Sequence, residues 1–315
     1  MNSMPFLRSF SLSLLACACL AGGAANAADK PQVALVMKSL ANEFFLTMEN
    51  GAKEYQKQHA SEFELISNGI KDESDTAAQI RIVEQMINTH VDALVIAPAD
   101  SKALVSVLKK ASDAGIKVVN IDNQLDADVL KSKNLEVPFV GPDNRAGARK
   151  VGEFLATRLR SGDEVGIIEG VPTTTNAQQR SAGFKDAMQS TGMKVMSVQS
   201  GNWEIDKGNA VATAMLNEYP EIKALLAGND SMALGAVSAV RAAGKTGKVL
   251  VVGYDNIKAI APMLKDGRVL ATADQYAAKQ AVFGIEEALR RVKGEKGEGS
   301  GNVQTPVDLV TQAAP

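Results

Sequence analysis

Polar side chains that can form several hydrogen bonds directly follow the short apolar runs of this 315-residue chain. They are mostly Asp, Asn and Gln, and aromatic residues accompany them. A carboxylate or a planar amide can bond two neighbouring hydroxyl groups, while a flat ring covers the apolar C–H face of a sugar. This combination suits a small polyhydroxylated ligand better than a phosphate group or a metal ion. The set comprises Lys38, Asn42, Phe44, Phe45, Asp122, Asn123, Trp203, Asn229, Asp255 and Gln275.

The same residue types also have structural interpretations. An Asn or Asp after a strand often caps the following helix, as at Asp230. An aromatic pair at a helix start, such as Phe44 and Phe45, can fill the core. Trp203 is the only tryptophan, and its polar neighbours favour a cleft or solvent-facing position. Glu73 is interpreted as part of a solvated loop. The functional interpretation depends on the whole set falling at one end of the strands.

The sequence lacks the motifs of nucleotide binding, nucleophilic hydrolysis and metal binding. The sequence contains neither a dinucleotide-binding loop nor a Walker loop, a nucleophile elbow or a zinc-protease motif. Residues 122–128 lack the central glycine and terminal glutamate of a calcium loop, and His59 and His90 lie beside polar segments typical of a surface. We therefore predict no catalytic residue, metal or cofactor. A secreted sugar hydrolase stays open as an alternative, with Asp122 and Asp255 as its only candidate carboxylate pair.

Residues 1–27 have the layout of a cleaved secretory signal peptide, ending in Ala25-Asn26-Ala27. Cleavage there leaves 288 residues and predicts export. Both cysteines, Cys17 and Cys19, lie in this leader, so the mature chain has no thiol for catalysis or metal binding. Leu14–Cys17 loosely resembles a lipoprotein cleavage box, which is disfavoured because only eight apolar residues would precede the cut.

Composition narrows the class of protein further. The chain carries a net charge of −2 and no long run of Lys or Arg, which argues against a nucleic-acid partner. Its 45% of hydrophobic residues suffice for a packed core. A mature length of 288 residues suggests two domains.

Strand-length apolar runs alternate with amphipathic stretches of helical spacing, and this pattern restarts near residue 139. The runs are continuously apolar, as in Val33–Met37, which predicts parallel sheets covered on both faces. Ligands of such sheets sit beyond the carboxyl ends of the strands, where the polar set falls. The predicted strands are 33–37, 63–66, 93–97, 117–121, 139–140, 164–168, 194–198, 224–227, 249–252 and 270–273.

Six segments carry a resemblance to a known family, namely Ser39–Phe45, Ile96–Ser101, Asn120–Asp122, Asn229–Ala236, Val251–Asp255 and Ala271–Gln275. From about Val33 to Val310 the chain resembles the periplasmic sugar-binding proteins of ABC transporters, most of all their ribose- and allose-binding branch. The segment that begins at Asn229 also occurs in the effector domains of LacI-type repressors. The signal peptide and the lack of an N-terminal helix-turn-helix separate this chain from those regulators.

The resemblance implies an α/β fold of two similar open parallel-sheet lobes joined by a three-strand hinge. It implies a monomeric receptor that captures a sugar between the lobes and delivers it to an ABC permease, and it leaves a chemoreceptor open as a second partner. The expected divisions are an N-terminal lobe of 28–142 plus 276–305 and a C-terminal lobe of 143–275 plus 306–315, with crossings near 142–143, 275–276 and 305–308.

The resemblance also implies ligand contacts at Lys38, Asn42, Phe44, Phe45, Asp122, Trp203, Asn229, Asp255 and Gln275. Asn123 and Gln178 stand where ribose-binding proteins carry arginine, and we expect both at the ligand. The missing arginines argue against D-ribose and make a polyol or cyclitol, such as ribitol or inositol, an alternative ligand. Lys38, the lysine of the allose-binding type, could replace a lost donor and keep an aldose possible.

Overall fold

The computed structural model of the protein describes Met1, residues 30–295 and residues 301–312. The predicted signal peptide and the lipoprotein alternative fall on residues 1–27, which lie outside the described residues except for Met1. Within the described ranges, no helix combines the length and the apolarity needed to cross a membrane.

One six-stranded sheet forms the N-terminal lobe. Its strands, numbered in chain order, are β1 (Gln32–Ser39), β2 (Glu64–Ile70), β3 (Ala93–Ile96), β4 (Lys117–Ile121), β5 (Phe139–Pro142) and β11 (Val303–Thr305). They are arranged in the order β11-β5-β4-β3-β1-β2, and all their pairings are parallel. The helices of this lobe are α1 (Glu43–Gln58), α2 (Thr76–Thr89), α3 (Val105–Asp113), α4 (Ala127–Ser132) and α10 (Ala277–Val292).

A second six-stranded sheet forms the C-terminal lobe. Its strands are β6 (Glu164–Glu169), β7 (Lys194–Ser200), β8 (Ala224–Ala227), β9 (Leu250–Val252), β10 (Ala271–Asp274) and β12 (Asp308–Thr311). Their order is β12-β10-β9-β8-β6-β7, and β12 pairs antiparallel to β10. The helices are α5 (Asn144–Ala156), α6 (Thr175–Thr191), α7 (Ile205–Glu218), α8 (Asp230–Ala242) and α9 (Ala261–Lys265), the last preceded by a 3₁₀ turn at Lys258–Ile260.

The chain passes between the two sheets three times, from β5 to α5, from β10 to α10 and from β11 to β12. Helix α10 thereby returns to the N-terminal lobe, where it contacts α1, β3 and β4. The predicted class, two open and mostly parallel α/β lobes, is confirmed.

Burial on both faces explains why the strands appear in the sequence as continuous apolar runs. Every residue of Val33–Met37 is fully buried, because helices cover both faces of the sheet. The spacing of apolar residues predicts a helix over residues 178–190, whereas α6 begins at Thr175. Its N-cap residue is Thr174, in extended conformation. The additional residues at the start of α6 include Asn176.

Candidate ligand-binding site

A small cavity lies between the lobes, at the carboxyl ends of the strands. Its free space is at most about 230 Å³, and residues of both lobes enclose it. The N-terminal lobe contributes Lys38, Asn42, Phe44, Phe45, Glu73 and Asp122, and the C-terminal lobe contributes Asn176, Arg180, Trp203, Asn229, Asp255 and Gln275.

Three of the lining residues adopt backbone angles that are rare outside glycine. The φ angles are 61° at Asp122, 69° at Trp203 and 123° at Asp255. Such conformations cost about 1–3 kcal/mol each and cluster at functional sites. Asp122 follows β4 directly and Asp255 lies three residues after the end of β9, so the unusual backbone angles at both residues set the direction of each carboxylate.

Two asparagines line the cavity, and each also caps a helix: Asn42 caps α1 and Asn229 caps α8. Asn42 Oδ1 accepts the N–H of Phe44 at 3.1 Å, while its Nδ2 donates to Glu73 Oε1 at 2.8 Å. Asn229 Oδ1 accepts the N–H of Met232 at 2.9 Å, while its Nδ2 donates to the carbonyl oxygen of Trp203 at 3.2 Å. The capping and binding interpretations are therefore compatible, because the cap fixes the orientation of each amide.

The N-terminal wall holds one buried cation between two buried carboxylates. Lys38 Nζ lies 3.6 Å from Glu73 Oε2 and 4.0 Å from Asp122 Oδ2. It also lies 5.2 Å from the ring centroid of Phe45 and 5.4 Å from that of Trp203. Burial raises the pKa of both carboxyl groups, and the charge of Lys38 opposes that rise.

The C-terminal wall centres on Arg180. Its Nε donates to Asn144 Oδ1 at 2.7 Å, its Nη1 lies 3.4 Å from Asp255 Oδ1, and its guanidinium lies 3.9 Å from the ring centroid of Tyr254. Gln275 Nε2 donates to the same oxygen of Asp255 at 2.6 Å. Burial raises the pKa of Asp255 well above its usual value, against the charge of Arg180.

Several cavity atoms have unused hydrogen-bonding capacity. Glu73 Oε2, Asp122 Oδ2 and Arg180 Nη2 are buried, and among the described residues no hydrogen-bond partner reaches them. A buried, unsatisfied polar atom costs about 1–3 kcal/mol. Hydroxyl groups of a ligand can donate to the two carboxylates, and an ether or hydroxyl oxygen can accept from the guanidinium.

The structure brings nine of the eleven predicted site residues together, namely Lys38, Asn42, Phe44, Phe45, Asp122, Trp203, Asn229, Asp255 and Gln275.

Asn123 and Gln178 are also predicted at the ligand, but neither side chain lines the cavity. Asn123 Nδ2 donates to the carbonyl oxygen of Pro98 at 2.9 Å, and its Oδ1 accepts the N–H of Asn176 at 3.2 Å. Gln178 is exposed and donates to the carbonyl oxygen of Pro172 at 2.8 Å.

Sequence reasoning missed Glu73, Asn176 and Arg180. Glu73 was expected in a solvated loop but is buried beside Lys38. Asn176 and Arg180 are four residues apart on α6 and so share one face, whereas the residue midway between them points elsewhere. The arginine that seemed lost at 178 is thus present two residues further on. An i, i+4 pair of Asn and Arg on one helix was the available signal.

The comparisons with known proteins agree with this geometry. A family profile described as periplasmic binding protein domain matches residues 33–296. The D-ribose/D-allose-binding protein of Pseudomonas aeruginosa is 75% identical over 289 residues, which cover 91% of each chain. The chain belongs to the periplasmic binding protein family.

Solved structures place it in the same class. An ABC transporter solute-binding protein from Burkholderia multivorans is 77% identical, with a TM-score of 0.88 over 90% of this chain and all of that chain. One from Actinobacillus succinogenes with bound D-allose is 36% identical, with a TM-score of 0.84 over 90% of this chain and 98% of that chain. This chain is therefore a solute-binding protein of ABC transport and not an enzyme, as the sequence predicted.

Proposed function

We propose that the protein captures a monosaccharide of the ribose or allose type between its lobes and delivers it to an ABC permease. The observation that carries the proposal is the cavity itself. Carboxylates on both walls, a guanidinium with a free N–H group and three aromatic rings converge on a space for one small molecule. The names of the relatives, which include ribose- and allose-binding proteins, support the same ligand class.

The presence of Arg180 favours an aldose over the polyol or cyclitol alternative. That alternative depended on the absence of arginine donors for a ring oxygen, and Arg180 Nη2 is such a donor. Lys38 supplies a second cation on the opposite wall. A ring oxygen can then accept from one cation while the hydroxyl groups donate to the acids.

Burial makes each of these bonds selective. Apart from Asn42, which is half-buried, the cavity acids, amides and cations are almost fully buried, so an epimer that misplaces one hydroxyl leaves a buried group unpaired. The cost of about 1–3 kcal/mol corresponds to a roughly 5- to 150-fold loss of affinity for each lost bond. A ligand with better contacts in the closed conformation shifts the population toward closure, which offers the permease a distinct shape to recognise.

Export to the periplasm completes the proposal. Cleavage after Ala27 releases a mature chain that begins at Ala28. Mass spectrometry of the exported protein tests this, because a lipid-modified Cys17 would give a different N-terminal mass. The predicted monomer can be checked on the same sample by light scattering.

A thermal-shift panel of D-ribose, D-allose, ribitol and myo-inositol tests ligand class on the mature chain. Ligand that binds only the native state raises the melting temperature as RT ln(1 + [L]/Kd) predicts. We expect an aldose to give the largest shift and to change the fluorescence of Trp203, the single tryptophan. A Trp203→Phe variant controls for the optical signal. A panel in which no sugar shifts the melting temperature contradicts the proposal.

A further inference from the structure

The first turn of α6 donates hydrogen bonds to the opposite lobe. The first N–H groups of a helix have no partner within the helix. Thr174 at the N-cap turns its hydroxyl back to the preceding turn instead of toward them. Ser101 Oγ accepts the N–H of Thr175 at 2.9 Å and its hydroxyl at 3.0 Å, and Asn123 Oδ1 accepts the N–H of Asn176 at 3.2 Å.

Both acceptors are held rigidly in the N-terminal lobe. Ser101 Oγ also bonds the carbonyl oxygen of Gln124 at 2.8 Å, and Asn123 Nδ2 donates to the carbonyl oxygen of Pro98 at 2.9 Å. Ser101 is 3% exposed and Asn123 is fully buried. These residues follow β3 and β4, so the N-terminal lobe presents two fixed oxygen atoms to a helix of the other lobe.

A second helical turn is bonded in the same way. Glu43 Oε2, at the start of α1, accepts the N–H of Ala259 at 3.0 Å, at the start of the 3₁₀ turn Lys258–Ile260. Acceptors of the N-terminal lobe therefore meet helical N–H groups of the C-terminal lobe at two places. These bonds form only when the two lobes are in contact, because the donor and the acceptor of each bond lie in different lobes.

We infer that Ser101 and Asn123 are positioning residues that cap α6 across the interface in the closed conformation only. Capping fixes the first turn of α6 against the N-terminal lobe, and this turn carries Asn176 and leads to Arg180, both of which line the cavity. The two acceptors thus stabilise closure and complete the site without touching the ligand. This inference rests on the proposed capture of a sugar between the lobes.

The expected effect follows from the energetics of helix caps. Loss of one capping acceptor typically changes an equilibrium roughly fivefold. Ser101→Ala and Asn123→Ala should each raise the Kd roughly fivefold. Because neither residue reads the sugar, the ratio of Kd values for two sugars should stay that of the wild type.

Thr175→Pro tests the same contact from the other lobe. Proline is favoured at the first helical position and lacks the N–H that Ser101 accepts. Thr174 has φ −103° and ψ 135°, which suits a residue before proline. We expect the Kd to rise while the melting temperature of the sugar-free chain stays unchanged or increases. A residue with only a structural role would lower both affinity and stability.

The experiment combines calorimetry with distance measurement. D-ribose and D-allose are titrated into each variant, and single-molecule energy transfer between dyes at Gln85→Cys and Lys185→Cys reports the closed fraction with and without sugar. The two labelling positions are exposed, and the mature chain has no other cysteine. Ser190→Ala and Asn209→Ala are the controls, because each removes a hydrogen bond within the C-terminal lobe alone.

The outcomes separate the two proposals. If the Kd values of the interface variants rise by the same factor for both sugars, and their closed fraction falls, the capping inference holds. If wild-type protein binds sugar and the three interface variants stay within twofold of it, or if the ratio between the sugars changes, the inference is wrong. If wild-type protein binds neither sugar, the proposed function fails, and the closed fraction of the sugar-free chain then decides the inference alone.

Discussion

Glu73→Gln is the substitution that probes the site most sharply, because it changes one buried atom and little else. The existing Oε1 accepts from Asn42 at 2.8 Å, and the glutamine oxygen can take over that bond. The amide nitrogen then replaces Oε2, which lies 3.6 Å from Lys38 Nζ and has no hydrogen-bond partner among the described residues. An acceptor for a ligand hydroxyl thus becomes a donor that faces a cation.

The magnitude follows from the kind of bond lost. A hydrogen bond to a charged group contributes about 1.5–3 kcal/mol, so the Kd for D-allose should rise roughly 10- to 150-fold. The fold should survive, since the side chain keeps its shape and loses a carboxylate whose burial is costly.

Isothermal titration calorimetry with D-allose and D-ribose measures this effect, with circular dichroism to follow melting. Glu62→Gln is the matched control, because Glu62 is exposed and precedes the amino end of β2, whereas the cavity lies at the carboxyl ends of the strands. An affinity of Glu73→Gln within threefold of wild type, for the sugar that wild type binds better, refutes the view that Oε2 accepts from the ligand.

Three further predictions concern the C-terminal lobe. Asp255→Ala should weaken sugar binding at least 100-fold in calorimetry, because it leaves the buried Arg180 without its carboxylate; near-normal affinity would contradict our assignment. Gly170→Ala should also weaken binding, since a Cβ there would lie 2.0 Å from ring atoms of Trp203 and must displace the ring; an unchanged Trp203 emission spectrum would speak against this. Burial raises the pKa of Asp230 to about 7, so the native state binds the extra proton between about pH 4 and 7 and this group makes stability fall as pH rises, by up to about 1.4 kcal/mol per pH unit. Urea unfolding at pH 4.5, 5.5 and 6.5 should therefore give a flatter dependence for Asp230→Asn, and equal slopes would contradict the raised pKa.

The sequence predicted those parts of the site that depend on strand ends. Lys38, Asp122, Asp255 and Gln275 lie within three residues of the carboxyl ends of strands in mostly parallel sheets, and such strand ends meet at one edge. Position in the strand pattern thus determined their place in the fold, and no contact had to be known.

Residues on helices and in loops were harder to assign. The resemblance placed an arginine position of the family at Gln178, two residues before Arg180, and on a helix a shift of two residues turns the side chain to another face. Glu73 lies in a loop, where a carboxylate is normally solvated. The proximity of Lys38 and the hydrogen bond from Asn42, both visible only in three dimensions, make its burial tolerable. Asn123 has the right place after its strand but turns its amide to the lobe interface.

A crystal structure of the mature protein with D-allose or D-ribose, whichever binds more tightly, tests the convergence of both walls on one sugar. We predict the ring between Phe45 and Trp203, with hydroxyl groups within 3.2 Å of Asp122 Oδ2 and Glu73 Oε2 and an oxygen near Arg180 Nη2. A sugar bound outside this cavity, or one that leaves these three atoms without a partner, would contradict the account.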